Sequence, residues 1–178
     1  MDRSEIMSWI KSIAMAVIIA GAVRYFLFSN IVVHGESMAP TFANADKVII
    51  TKTTEISRFD QIVFDAPDTD QHYIKRVIGV PGDSIEVKDD VLYVNGKATE
   101  EPYLAKNRAA LLPGQKLMGD FTLREKTGYD KVPDGYLFVM GDNRLVSKDS
   151  RIFGLIREDS VNGEVQLRIY PLSDIKVY

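Results

Sequence analysis

Residues 9–28 read WIKSIAMAVIIAGAVRYFLF, and the reading of this stretch decides the architecture of everything after it. Between Lys11 and Arg24 every residue is apolar or small. That run is short of the roughly 20 residues a helix needs to cross a bilayer, but continuing to Phe28 reaches the length. Lys11 and Arg24 can lie along the helix and extend their charges toward the two interfaces. Trp9 and Tyr25 stand where interfacial aromatics are expected. The competing reading is a cleavable secretory signal, with Arg3 in a charged leader, an apolar centre, and Ala20-Gly21-Ala22 as a small-x-small site. Apolar character resumes at Tyr25-Phe26-Leu27-Phe28, beyond the point where such a signal ends, so an uncleaved anchor over residues 9–30 is expected. Residues 1–8 then form a short N-terminal segment. Arg3 and Lys11 favour the cytoplasm for it, which leaves residues 31–178 on the outer face.

Past the anchor, from Ile31 onward, the pattern turns extended. Short runs rich in β-branched residues recur at Val48–Ile50, Ile62–Phe64, Tyr73–Val80, Ser84–Val87, Val91–Val94, Tyr136–Met140 and Val165–Tyr170. Turn formers separate them: Ala66-Pro67-Asp68, Pro81-Gly82-Asp83, Asp89-Asp90, Asn95-Gly96 and Asp134-Gly135. Two alternating runs flank Asp89-Asp90, which predicts a hairpin over Asp83–Gly96. The segment 103–133 breaks the rhythm with lysine, glycine and proline, and is expected to be an insertion with its own small sheet or a loop. The fold class is therefore mainly β: a transmembrane helix followed by an antiparallel β domain with a small inserted subregion.

The 178 residues suffice for an anchor and one substantial core. The net charge of −3 comes from interspersed acids and bases, with no basic stripe, so no nucleic-acid partner is expected. The chain has no cysteine, which excludes thiol catalysis and zinc–thiolate sites. His34 and His72 are the only histidines and show no metal-ligand spacing, so neither a metal nor a cofactor is expected.

A serine with no cysteine in the chain to compete with it stands out in Val33-His34-Gly35-Glu36-Ser37-Met38-Ala39-Pro40-Thr41. Its hydroxyl is a poor nucleophile until a base takes its proton. Neither histidine has a context that orients an imidazole. Lys75 is the other choice. In an extended strand it shares a face with Tyr73 and Val77 while Ile74, Arg76 and Ile78 face the other way. Burial there would lower its pKa by roughly 3 units and make a usable base. Alternation alone does not separate that lysine from one that snorkels outward beside Arg76. The segment Gly141-Asp142-Asn143-Arg144 with Ser147-Lys148-Asp149-Ser150-Arg151 adds a third element at the end of an apolar strand. Ser147 is expected to accept a hydrogen bond from the amine. Asp149 and Arg151 are expected to brace the loop as a charge-assisted pair. Met38 and Phe42 suggest an apolar rim beside the pair.

These three segments, in this order after an anchor, resemble the bacterial type I signal peptidases, and the single-anchor short form is similar to Gram-positive members. Ser37–Thr41 looks like the nucleophile segment, Tyr73–Asp83 the base-bearing strand, and Gly141–Arg151 with Phe153-Gly154 the third signature. The resemblance implies that Ser37 attacks a peptide carbonyl after Lys75 takes its proton. Substrates would be exported preproteins cut after small side chains, which shallow apolar pockets select by excluding bulk. Some positions depart from the pattern. Where members use a hydroxyl two residues before the nucleophile for the oxyanion, this chain has Gly35, which lets the backbone approach closely. Phe42 replaces leucine, Phe59 stands where glycine is common, and Leu145 and Val146 are often polar. Two alternatives belong to other classes. One is a non-catalytic anchored β domain that binds exported peptides along a sheet edge. The other is a repressor-type self-cleaving protease, which would need a DNA-binding domain. Ser8-Trp9-Ile10-Lys11 and Lys126-Thr127-Gly128 match penicillin-binding-protein signatures by coincidence, since no SDN segment accompanies them. Oligomeric state is not legible.

Overall fold

A computed structural model describes residues 2–178, with the side chains of residues 23–26 outside that description. The interfacial roles expected of Arg24 and Tyr25 therefore lie outside the described residues. Helix α1 (Arg3–Leu27) is 25 residues long. Its stretch Arg3–Ala22 is long and apolar enough to cross a membrane, and its side chains are exposed. Strand β1 (Phe28–Val32) follows without a linker. Residues 28–30, expected to end the anchor, are thus strand: Phe28, Ser29 and Asn30 pair with Thr51, Ile50 and Ile49. A ladder of backbone hydrogen bonds and the poor helix propensity of serine and asparagine act together to end the helix at this boundary.

The remaining chain is antiparallel β, as the alternating runs imply. Strands β2 (Lys47–Thr51), β3 (Gln61–Asp65), β4 (His72–Gly79), β5 (Ile85–Lys88), β6 (Val91–Val94) and β7 (Lys97–Thr99) come first. Helix α2 (Ala105–Ala109), strand β8 (Phe121–Thr122), helix α3 (Leu123–Thr127), strand β9 (Tyr136–Met140) and helix α4 (Ser150–Phe153) follow. Strands β10 (Ile156–Arg157), β11 (Val161–Tyr170) and β12 (Lys176–Val177) close the chain. The large sheet runs β1-β2-β11-β3-β4-β9-β10, with β12 on β11, and the small sheet runs β7-β6-β5-β8.

The alternation fills both faces of the large sheet. Ile62, Phe64, Val77, Leu137 and Val139 meet in one core. Val48, Ile50, Val63, Ile74 and Val165 meet in another with Met38 and Phe42. Met38 and Phe42 are 1% and 0% exposed, so they anchor the Ser37 segment from below and form no rim. At Gly163 the backbone of β11 passes so close to the Thr51 carbonyl that a Cβ would collide with it.

The small sheet starts earlier than the expected insertion at 103–133. The hairpin β5–β6 forms as expected, with Asp89 and Asp90 both at positive φ (50° and 66°). Such angles match the strand twist in a two-residue turn. Its strands find their partners in β7 and β8, so residues on both sides of position 103 share one sheet. That sheet is not a separate body. Its Ile85, Val87, Leu92 and Phe121 pack with Ile78, Phe138 and Met140 from β4 and β9.

Candidate functional site

Strand β4 brings Lys75 to the end of the core, and the segment after β1 lays Ser37 beside it. Lys75 Nζ lies 2.8 Å from Ser37 Oγ and donates to the Ile74 carbonyl at 3.0 Å. The lysine is 3% exposed, and its amine sits 5.0 Å from the Tyr73 ring centre. The strand alternation left burial and snorkelling open; the structure buries the side chain. Burial disfavours the ammonium and lowers the Lys75 pKa from 10.5 to about 8, against the raising effect of Asp149, Asp142 and Asp68.

Arginines hold two of those carboxylates. Asp142 accepts from Arg76 Nε at 2.9 Å and Nη2 at 2.7 Å, and from the Thr41 hydroxyl. Asp149 accepts from Arg151 Nε and Nη2 at 2.8 Å each, and from the Gly141 N–H at 3.0 Å. The Asp149 side chain also caps helix α4 through the Arg151 N–H at 3.2 Å. The brace expected of Asp149 and Arg151 is therefore formed, and Arg76 with Asp142 forms a second that the sequence reading did not assign.

The other expected members fare differently. Ser147 is buried, but its hydroxyl has no hydrogen-bond partner, and the Ile74 carbonyl fills the acceptor place beside Lys75. A Cβ on Gly141 would collide with Ser147 Oγ and the Ser37 carbonyl, so only glycine fits between them. Gly35 does not give a close backbone approach: the space around its Cα is open, and its φ of +82° is what calls for glycine. Its N–H donates to Asn44 Oδ1 at 3.0 Å. Phe59, where glycine is common, takes a φ of +77°, and its carbonyl accepts from Arg76 Nη1 at 2.7 Å. His34 and His72 are exposed, and His72 sits by Asp65 at 2.9 Å.

Further ties hold the loops. The Asn143 N–H donates to the Ser37 carbonyl at 3.0 Å, and its side chain to the Glu36 carbonyl at 3.1 Å. Asn107 of α2 donates to the Ala39 carbonyl at 3.1 Å and the Asp142 carbonyl at 2.7 Å. Arg144, fully buried, donates to Glu101 at 2.5 Å and to the Gly141 carbonyl at 2.9 Å. A groove of about 260 Å³ opens over the pair, walled by Ile31, Val33, Val63, Tyr73 and Ile74. Chemically, this is a small trough of mixed lining, with His34, Glu36, His72 and Lys148 beside the apolar walls and a hydroxyl and a dry amine at its base.

The signal peptidase family, peptidase S26, matches residues 6–170. Signal peptidase I of Bacillus caldolyticus is 48% identical over 161 residues, spanning 88% of this chain and 87% of that one. Signal peptidase I of Bacillus licheniformis is 42% identical over 98% of this chain and 94% of its own length. The crystal structure of a signal peptidase I from Enterococcus faecalis superposes with a TM-score of 0.61 at 42% identity, over 62% of this chain and 97% of that one. With matches of this extent, the chain belongs to the signal peptidase family, peptidase S26, and is a serine endopeptidase of the signal peptidase I kind.

Proposed function

We propose that Ser37 is the nucleophile and Lys75 its general base, in an enzyme that cuts exported preproteins at the membrane surface. One observation carries this reading: a lysine amine 3% exposed, 2.8 Å from a serine hydroxyl. In the neutral amine form Nζ keeps its bond to the Ile74 carbonyl and accepts the Ser37 proton. The freed oxygen attacks the scissile carbonyl carbon. The C–N bond then breaks as Lys75 returns that proton to the leaving amine, giving an ester on Ser37. Water deprotonated by the same lysine cleaves the ester and restores the hydroxyl. The developing oxyanion has the Ser37 backbone N–H as its donor. Asp149–Arg151 and Asp142–Arg76 hold the loops while each arginine screens its carboxylate from Lys75.

Substrate choice follows from the trough. Walls that include valine, isoleucine and tyrosine would favour a small apolar side chain such as alanine. Strand β1 lies at the end of the large sheet and lines the groove, so an extended substrate has an edge to pair with. Helix α1 would hold the enzyme in the lipid bilayer with the N-terminus in the cytoplasm and the β domain on the outer face.

Ser37→Ala and Lys75→Ala should each abolish cleavage of a preprotein ending in Ala-x-Ala while the fold is kept. Turnover like that of the wild type in either variant overturns the assignment. With the Lys75 pKa at about 8, roughly one molecule in ten carries the working amine at pH 7. Activity should therefore rise with pH through a limb near that value; a limb near 10.5 would mean a wetted lysine.

A further inference from the structure

None of the three segments that carry the resemblance contains Asn107. It belongs to α2, in the region between the small sheet's strands β7 and β8. Its side-chain amide has two protons to give. One goes to the Ala39 carbonyl, two residues past Ser37, and the other to the Asp142 carbonyl, one residue past Gly141. The two acceptors lie 68 and 35 residues away along the chain, on the two loops that bracket the Ser37–Lys75 contact. Few other direct bonds join those loops: Asn143 reaches Glu36 and Ser37, and Thr41 reaches the Asp142 carboxylate.

The helix that presents Asn107 is itself held. Arg108, the next residue, donates to the Asp90 carbonyl at 3.0 Å and pairs with its carboxylate at 3.3 Å. Asp90 is the tip of the β5–β6 hairpin and also accepts from the Leu117 and Met118 N–H groups at 3.0 and 2.8 Å. Leu104, just before the helix, is fully buried in the core shared by the two sheets. The amide is thus delivered from a tethered turn.

We propose that Asn107 is a positioning residue for the cleavage reaction, its amide fixing the spacing of the two loops and with it the approach of Ser37 to Lys75. The small sheet then contributes to turnover by holding one amide in place. A hydroxyl and an amine that must exchange a proton tolerate little misplacement, and an error near 1 Å is expected to cost on the order of a hundredfold. This inference rests on Ser37 and Lys75 having the roles proposed above.

The test compares Asn107→Ala and Asn107→Asp in the full-length chain in detergent, with Ser37→Ala alongside. Asn107→Asp keeps the shape but replaces the amide nitrogen, and with it both donated protons, by a carboxylate oxygen that repels the two carbonyls. Cleavage of an Ala-x-Ala preprotein is measured across pH, per folded molecule as judged by circular dichroism. In both variants kcat should fall at least about tenfold with KM within about twofold. The acid limb should also move upward as water reaches Lys75. A kcat per folded molecule equal to wild type in Asn107→Asp, with the limb unmoved, overturns the proposal; so does loss of the fold in both variants, which would make Asn107 a stability residue only. Should Ser37→Ala retain activity, the underlying assignment fails instead, and the two failures are told apart.

Discussion

Lys75 and Arg144 are both buried cations, and their surroundings treat them in opposite ways. Arg144 is given a carboxylate in direct contact: Glu101 meets it at 2.5 Å, and the Tyr103 hydroxyl donates to that same carboxylate at 2.7 Å. Burial works against its charge, but Glu101 and Tyr103 carry the Arg144 pKa above its ordinary value. Lys75 is given only neutral hydrogen-bond partners, Ser37 Oγ and the Ile74 carbonyl, although three carboxylates, Asp149, Asp142 and Asp68, lie within electrostatic reach. Arg76 and Arg151 occupy Asp142 and Asp149, and the lysine is left to bear its desolvation alone. Arg144 is neutralised by a partner; Lys75, the proposed base, is kept away from one.

Removing the partner of the structural cation is the harshest test of this contrast. Glu101→Gln leaves the Arg144 charge buried without a counter-ion, which should destabilise the fold by about 3–5 kcal/mol. The acid limb of activity should stay where it is, because Lys75 has no contact with Glu101. Denaturant melts and a pH profile check both halves, and a moved limb would merge the two environments into one network.

The opposite change at the base comes next in size. The displacement of Lys75 from 10.5 to about 8 corresponds to about 3 kcal/mol of cost to the folded state. That cost is fully present below about pH 8 and is relieved as pH rises toward 10.5, because over this window the unfolded chain binds the extra proton. Lys75→Met should therefore stabilise the protein by up to about 3 kcal/mol at pH 7, with the gain fading above pH 10. A destabilised Lys75→Met at neutral pH would show that the ammonium is not disfavoured in place. The smallest effect belongs to the screening arginine. In Arg151→Ala the Asp149 carboxylate is released to act on Lys75, and the acid limb should move upward by about one pH unit. An unmoved limb would mean that Arg151 braces the loop without screening.

Legibility in the sequence divides along the same line. Lys75 and Ser37 were singled out in local patterns, a strand alternation and a loop between glycine and proline, but the alternation left burial and snorkelling open and only the packed structure shows the two side chains in contact. The strands were readable from such patterns, since residues such as Ile62, Val63 and Phe64 report their own faces. Asp149 and Arg151 lie two residues apart, and their pairing needed no fold. Arg76 and Asp142, 66 residues apart, and Arg144 and Glu101, 43 apart, meet only because β4, β9 and the small sheet are packed together. Nothing local marks either pair. Ser147 shows the reverse case: the hydroxyl is in register, but the nearer Ile74 carbonyl on the lysine's own strand takes its place. The small sheet's start was missed because β5 and β6 read as a hairpin wherever their outer partners lie, and only the β5–β8 pairing says which sheet they join.

Helix α1 stops at Leu27, and the strand that walls the groove starts at Phe28. Five residues of strand, about 17 Å at 3.3–3.4 Å each, lie between the helix end and the turn that carries the serine. With the helix in the bilayer as proposed, the blade of this enzyme hangs on a rod without a joint. On that proposal the height at which it cuts would be set by its own chain, and a preprotein would be processed where its scissile bond is carried to that level.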